Sequence, residues 1–125
     1  MEQDTSFSKF GKSFQEDLCH MILNDRPFAD QMFEVLDINF LELKHLRVFI
    51  QKIQDYRKRY GVHPTSKIML SVIRTGLDSE PESVKTRIRD YYARVLANGQ
   101  EPDAVEYIKD TALDFCKKQK LKGAL

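Results

Sequence analysis

At 125 residues the chain has the length of one domain, so a single core is expected. Hydrophobic residues at 42% and charged residues at 31% exclude a disordered chain, because that balance can bury a core beneath a charged surface. A net charge of +1 excludes a global pull toward nucleic acid or anionic membrane, and any basic surface must be local.

The N-terminal stretch, residues 1–12, is polar with Phe7 and Phe10 embedded, and reads as a flexible arm. It contains no apolar run, so neither a signal peptide nor a membrane anchor is expected there. Ser13 and Glu16 then have capping-box spacing, and Phe14, Leu18, Met21 and Ile22 follow as one helical stripe. Asn24-Asp25-Arg26-Pro27 ends that helix, and Pro27 suits the first turn of a shorter one carrying Phe28, Met32 and Val35 or Leu36 on its buried side. Asp37–Phe40 reads as a tight connection.

The clearest element spans about 42–60, where Leu46, Phe49, Ile50, Ile53, Tyr56 and Tyr60 recur at three- and four-residue spacing. Lys52, Arg57, Lys58 and Arg59 crowd toward its end, which suits the helix dipole, and Gly61 supplies a left-handed stop. Thr65 caps another short helix with Ile68, Met69, Val72 and Ile73 on its apolar side, closed by Gly76. Ser79-Glu80-Pro81-Glu82 reads as a second capping signature for a long helix to about Asn98, striped by Val84, Ile88, Tyr91, Tyr92 and Val95. Gly99 follows, and Pro102 and Asp103 open a last helix with Val105, Ile108, Ala112 and Phe115 spaced three, four and three. No segment alternates with period two, so the expected fold is an all-α compact bundle of about six helices.

The chemistry-bearing patterns are missing. Neither GxxxxGK[ST] nor GxGxxG occurs, so no backbone nest for a triphosphate is expected. His20, His45 and His63 have no paired ligand spacing, and Cys19 and Cys116 form no CxxC. Two such thiols without a secretory segment suit a reducing cytoplasm. No GxSxG elbow is present, and Glu16, Glu82 and Asp103 have capping or dipole roles. The expectation is a chain without an active site, metal or cofactor of its own.

Two features remain. Lys52, Arg57, Lys58 and Arg59 at the end of the third helix, and Lys117, Lys118, Lys120 and Lys122 at the basic chain end, could touch phosphates or a partner, or serve as solvated helix ends. The last helix has coiled-coil-like spacing, and Leu121 and Leu125 carry apolar content to the final residue, a pattern expected of truncation inside a longer helical element. The organisation expected is therefore an arm over 1–12, a globular helical domain over 13–100, and a helix over 101–125 leading to a hairpin or linker.

The order and spacing of these elements resemble the N-terminal domain of DnaB-type replicative helicases, particularly divergent bacteriophage members. The resemblance spans nearly the whole chain after the arm. It is carried by the segment from Phe14 to Asp25, the short helix from Phe28 to Phe40, and the helix and turn from His45 through Phe49, Ile50, Tyr56, Tyr60-Gly61 and Pro64. Ala97-Asn98-Gly99-Gln100-Glu101-Pro102 with Val105–Ile108 completes it. The family's glycines in the opening helix are missing here, and residues 76–83 are more acidic, so no partner-contact residue is carried over by position.

The resemblance implies a non-catalytic collar that pairs with copies of itself on a hexameric ring and docks primase or a helicase loader in a bacterial or phage-infected cell. The ATP-driven motor would lie further along the polypeptide, and the last helix would be the first arm of a helical hairpin. On its own the chain should be a monomer or weak dimer, with no membrane partner. Tyr107, Thr111 and Phe115 are the expected self-association surface. The alternative is a free-standing helical adaptor or loader with weak, non-specific DNA contact through its basic end.

Overall fold

A computed structural model describes residues 6–96 and 104–123. Among them are six α-helices and no strand: α1 (Lys12–Asn24), α2 (Arg26–Val35), α3 (Lys44–Tyr60), α4 (Ser66–Thr75), α5 (Glu82–Tyr91) and α6 (Val105–Gly123). Single 3-10 turns at Phe7–Phe10 and Ile38–Phe40 precede α1 and α3, and a π turn at Tyr92–Leu96 extends α5. Helix α1 is the hub, packing against α2, α3, α6 and the π turn, while α5 lies on α3. This is the all-α bundle expected from the periodicity.

The burial of α1 explains its position. Leu18, Cys19, Met21, Ile22 and Leu23 are all buried, so successive apolar residues contact neighbours on several sides. Gln15 is buried on the same helix and is fully engaged. Its Oε1 accepts from the Glu42 amide at 2.8 Å, and its Nε2 donates to the Gly11 carbonyl at 3.3 Å. That pair of bonds fixes the entry to α3 against the start of α1.

Caps and stops are local chemistry. Asp25 caps α2 by accepting from the Phe28 amide at 3.1 Å, and its other oxygen meets Lys109 of α6 at 2.6 Å. The hydrogen bond from Lys109 holds the Asp25 carboxyl below its ordinary value despite burial. Thr65 caps α4 through the Ile68 amide at 3.1 Å. Gly61 ends α3 at φ 72, a left-handed conformation costly for residues with a Cβ, and its amide closes on the Arg57 carbonyl at 2.8 Å.

Four expectations change. Phe7 is fully buried and Phe7–Phe10 forms a turn, so the described part of the arm is a structural plug rather than a loose tail. The aromatic partners available from α1 and α6 outweigh the polarity of the stretch. Ser13 does not cap α1: the helix already starts at Lys12 behind Gly11, which places the Ser13 amide inside the first turn, and Glu16 points elsewhere. Ser79 does not cap α5, which begins behind Pro81 with no side-chain cap and draws on Glu82 as its first-turn acid. The long helix expected to Asn98 changes at Tyr92 into the π turn. Its final residues, and the expected roles of Gly99, Pro102, Asp103 and Leu125, lie outside the described residues.

Candidate protein-docking interface

Helix α6 carries both groups of residues singled out from the sequence. Its inner side, Ile108, Ala112, Phe115 and Cys116, is buried. The helix rests on α2 and α1 on that side, and Phe115 closes on the N-terminal turn with its ring 5.0 Å from Phe7. At 5% exposure, Phe115 belongs to the core, which corrects its assignment to an outward patch. Its partner rings Phe7, Phe10 and Phe40 come from segments more than seventy residues away, beyond any local pattern.

The outer side differs. Tyr107 is 62% exposed and Leu121 70% exposed. At about 100° per residue, Tyr107, Thr111, Asp114, Lys118 and Leu121 fall on one stripe roughly 80° wide. Two large apolar side chains thus sit at the ends, and an Asp114–Lys118 ion pair of 3.0 Å occupies the middle. Beside the stripe runs an open groove of about 650 Å³, lined by Lys9, Phe10, Thr111, Asp114, Phe115 and Lys118 among others. Thr111 is half-buried and links stripe to groove.

The four lysines do not converge. Lys118 is paired with Asp114, and Lys120 donates to the Glu34 carbonyl at 3.2 Å across to α2. Lys117 and Lys122 are exposed, but the spacing of all four spreads them over roughly 200° of the helix. Lys118 and Lys122 share the groove with Lys9, whereas Lys120 lines a second groove beside Glu34.

A buried polar cluster escaped sequence reasoning. Glu16 of α1, 5% exposed, receives both terminal nitrogens of Arg94, at 3.1 and 2.7 Å. The Tyr91 hydroxyl donates to the Glu16 backbone carbonyl at 2.7 Å. Hydrogen bonds to Glu16 hold the Arg94 guanidinium charged still more firmly than usual, and burial pushes the Tyr91 phenol well up. The only local signal was Asp90, one helical turn before Arg94 and in contact with it at 3.2 Å. Nothing in the sequence links either residue to Glu16.

His45 lies at the edge of this cluster, buried, its ring 6.3 Å from Tyr91. Its Nδ1 has no hydrogen-bond partner among the described residues. Burial lowers its pKa; Glu16 opposes this, and Lys12, Arg87 and Arg94 reinforce it. The folded state therefore keeps His45 neutral while the unfolded chain takes a proton near its ordinary value of 6.5. Between those two points the unfolded state binds more protons, so stability rises with pH and falls as pH drops below that value. We expect urea midpoints to fall from pH 7 to pH 5 and the slope to flatten in His45→Phe. An unchanged slope in that variant would place the proton uptake elsewhere.

His63 is bound on both sides. Arg57 can only donate, so the 2.9 Å contact makes Nδ1 the acceptor and leaves Nε2–H to donate to the Leu23 carbonyl at 2.7 Å. Arg57 continues to Asp30 at 2.6 Å, so this relay ties the end of α3 to α1 and α2.

Both thiols are buried. Burial pushes Cys116 up to about 12 and Cys19 further, so neither is a thiolate at neutral pH. Among the described residues there is no cluster of three histidine, cysteine or carboxylate side chains placed to hold a metal ion, and no helix long and apolar enough to cross a membrane. No family model, curated protein or solved structure matches the chain.

Proposed function

We propose that this chain is a helical docking module of the type that forms the collar of DnaB-like replicative helicases, acting through self-association and partner recruitment rather than catalysis. The observation that carries this reading is the outer stripe of α6. A helix held on one side presents Tyr107 and Leu121 outward at two-heptad spacing beside an open groove, which suits a second helix laid along it. The order of the helices along the chain, from the capped α2 to the glycine-stopped α3, supports the same family reading. In that arrangement primase or a loader is the recruited protein, and ATP hydrolysis belongs to a motor outside these residues.

The exposed stripe is short, so association through it is weak. Sedimentation velocity should find a monomer at micromolar concentration and a dimer emerging only at hundreds of micromolar. Tyr107→Asp combined with Leu121→Asp should abolish the dimer while leaving the far-ultraviolet circular dichroism unchanged. A tight hexamer at micromolar concentration, or a dimer indifferent to both substitutions, would contradict the proposal. In the alternative adaptor reading the DNA contact would fall to this basic end of α6, where Lys118 pairs with Asp114 and Lys120 donates to the Glu34 carbonyl.

A further inference from the structure

The strongest unassigned surface is the corner where α3 meets α4. From Tyr56 to Leu77 the sequence contains no aspartate or glutamate, yet it carries Arg57, Lys58, Arg59, Lys67 and Arg74. In a chain with a net charge of only +1, that concentrates positive potential on the end of α3 and along α4. Arg57 is committed to Asp30 and His63. Lys58, Arg59 and Lys67 are exposed, and among the described residues none has a carboxylate within ion-pair distance.

Helix-dipole compensation does not account for this set. The C-terminal end of a helix is equivalent to roughly half a negative charge, which a single lysine or arginine more than balances. Lys67 stands in the first turn of α4, where the dipole disfavours a cation, and no acid shares that turn.

An exposed aromatic ring stands beside one of these cations. Tyr60 is 57% exposed, although α3 has an apolar face on which it could have been buried. Its ring is steadied by Tyr56, 4.6 Å away between centroids, and by the Arg59 guanidinium at 5.5 Å. Val62, also exposed, follows across Gly61. An exposed ring beside the unpaired Arg59, with further unpaired cations on the same two helices, matches the two requirements of an unpaired polynucleotide, a stacking surface and phosphate neutralisation. A duplex hides its base faces, and a polyglutamate-like peptide carries no aromatic ring to stack on Tyr60.

We propose that the α3–α4 corner binds single-stranded nucleic acid, with Tyr60 stacking on a base while Lys58, Arg59 and Lys67 neutralise phosphates. The site is separate from the α6 stripe, so this proposal and the docking function stand or fall on different measurements.

The test is fluorescence anisotropy of a labelled fifteen-residue oligothymidylate, and of the matching oligouridylate, with the full chain. Saturable binding at low salt is expected for at least one strand, with log affinity falling against log salt at a slope of about −2 for three neutralised phosphates. Tyr60→Ala should weaken binding roughly five- to 150-fold, since one base stack is lost, while Tyr60→Phe should retain it. Lys58→Ser, Arg59→Ser and Lys67→Ser should each flatten the salt slope, and Lys117→Ser with Lys122→Ser should leave it unchanged. All these side chains are exposed, and a thermal melt confirms that each variant folds. Four results would overturn the proposal: no binding of either strand at 50 mM salt, full affinity in Tyr60→Ala, equal affinity for a duplex of the same length, or displacement of the strand by a polyglutamate of equal charge.

Discussion

Replacing Phe7 by Ala should cost about 3–5 kcal/mol of folding stability, the range for removing a fully buried phenylalanine. Its ring is enclosed by Phe115 at 5.0 Å, Phe14 at 6.0 Å, Phe40 at 6.1 Å and Phe10 at 6.3 Å. The Phe40 contact is edge-on, and aromatic pairs of this kind add about 0.5–1.5 kcal/mol beyond the area they bury. The four partners come from the N-terminal turn, α1, the turn before α3, and α6. One side chain near the start of the chain therefore fastens α6 to the rest of the bundle. Urea denaturation monitored by circular dichroism measures the effect directly. A loss below about 1 kcal/mol would show that the N-terminal turn is the loose arm its polarity suggests, and that α6 is held by α1 and α2 alone.

Arg94→Ala has the second-largest expected effect, about 2–4 kcal/mol. The substitution leaves the Glu16 carboxylate buried without its cation, and removing one partner of a buried pair costs more than the pair itself contributes. Because Arg94 is itself exposed, water reaches the gap, which keeps the effect toward the lower end of that range. Glu16→Gln in the Arg94→Ala background should recover part of the loss, since a neutral amide is cheaper to bury than a carboxylate. Equal stability of the single and double variants would mean that the charge of Glu16 is already satisfied by other groups.

What was legible in the sequence was whatever depends on neighbours along the chain. The stripe of α3, the Thr65 cap, the Gly61 stop and the placement of Pro27 in the first turn of α2 are set within a few residues of each other. Each survives in the fold, except that the buried stripe of α3 ends at Ile53, with Tyr56 half-buried and Tyr60 exposed. What was not legible depends on partners far away in the sequence. Ser13 and Glu16 have the spacing of a capping box, but Arg94, 78 residues on, draws the carboxylate away, and Gly11 ends up at the cap. Phe7 and Phe10 read as isolated apolar residues in a polar arm until Phe115 and Phe40 are brought against them. The candidate interface divides in the same way. The three-and-four spacing of α6 places Tyr107 and Thr111 on a common stripe with Leu121, while the ring of Phe115 turns inward to meet aromatics that no helical period could anticipate.

The docking reading is tested most directly by amide chemical shifts recorded over a concentration series from tens of micromolar to one millimolar. Weak self-association through α6 predicts progressive shifts confined to the stripe of Tyr107, Thr111, Asp114, Lys118 and Leu121 and to the adjoining groove around Lys9 and Phe10. Shifts that instead spread over α3 and α4 with α6 unmoved, or no shift up to one millimolar, would contradict it.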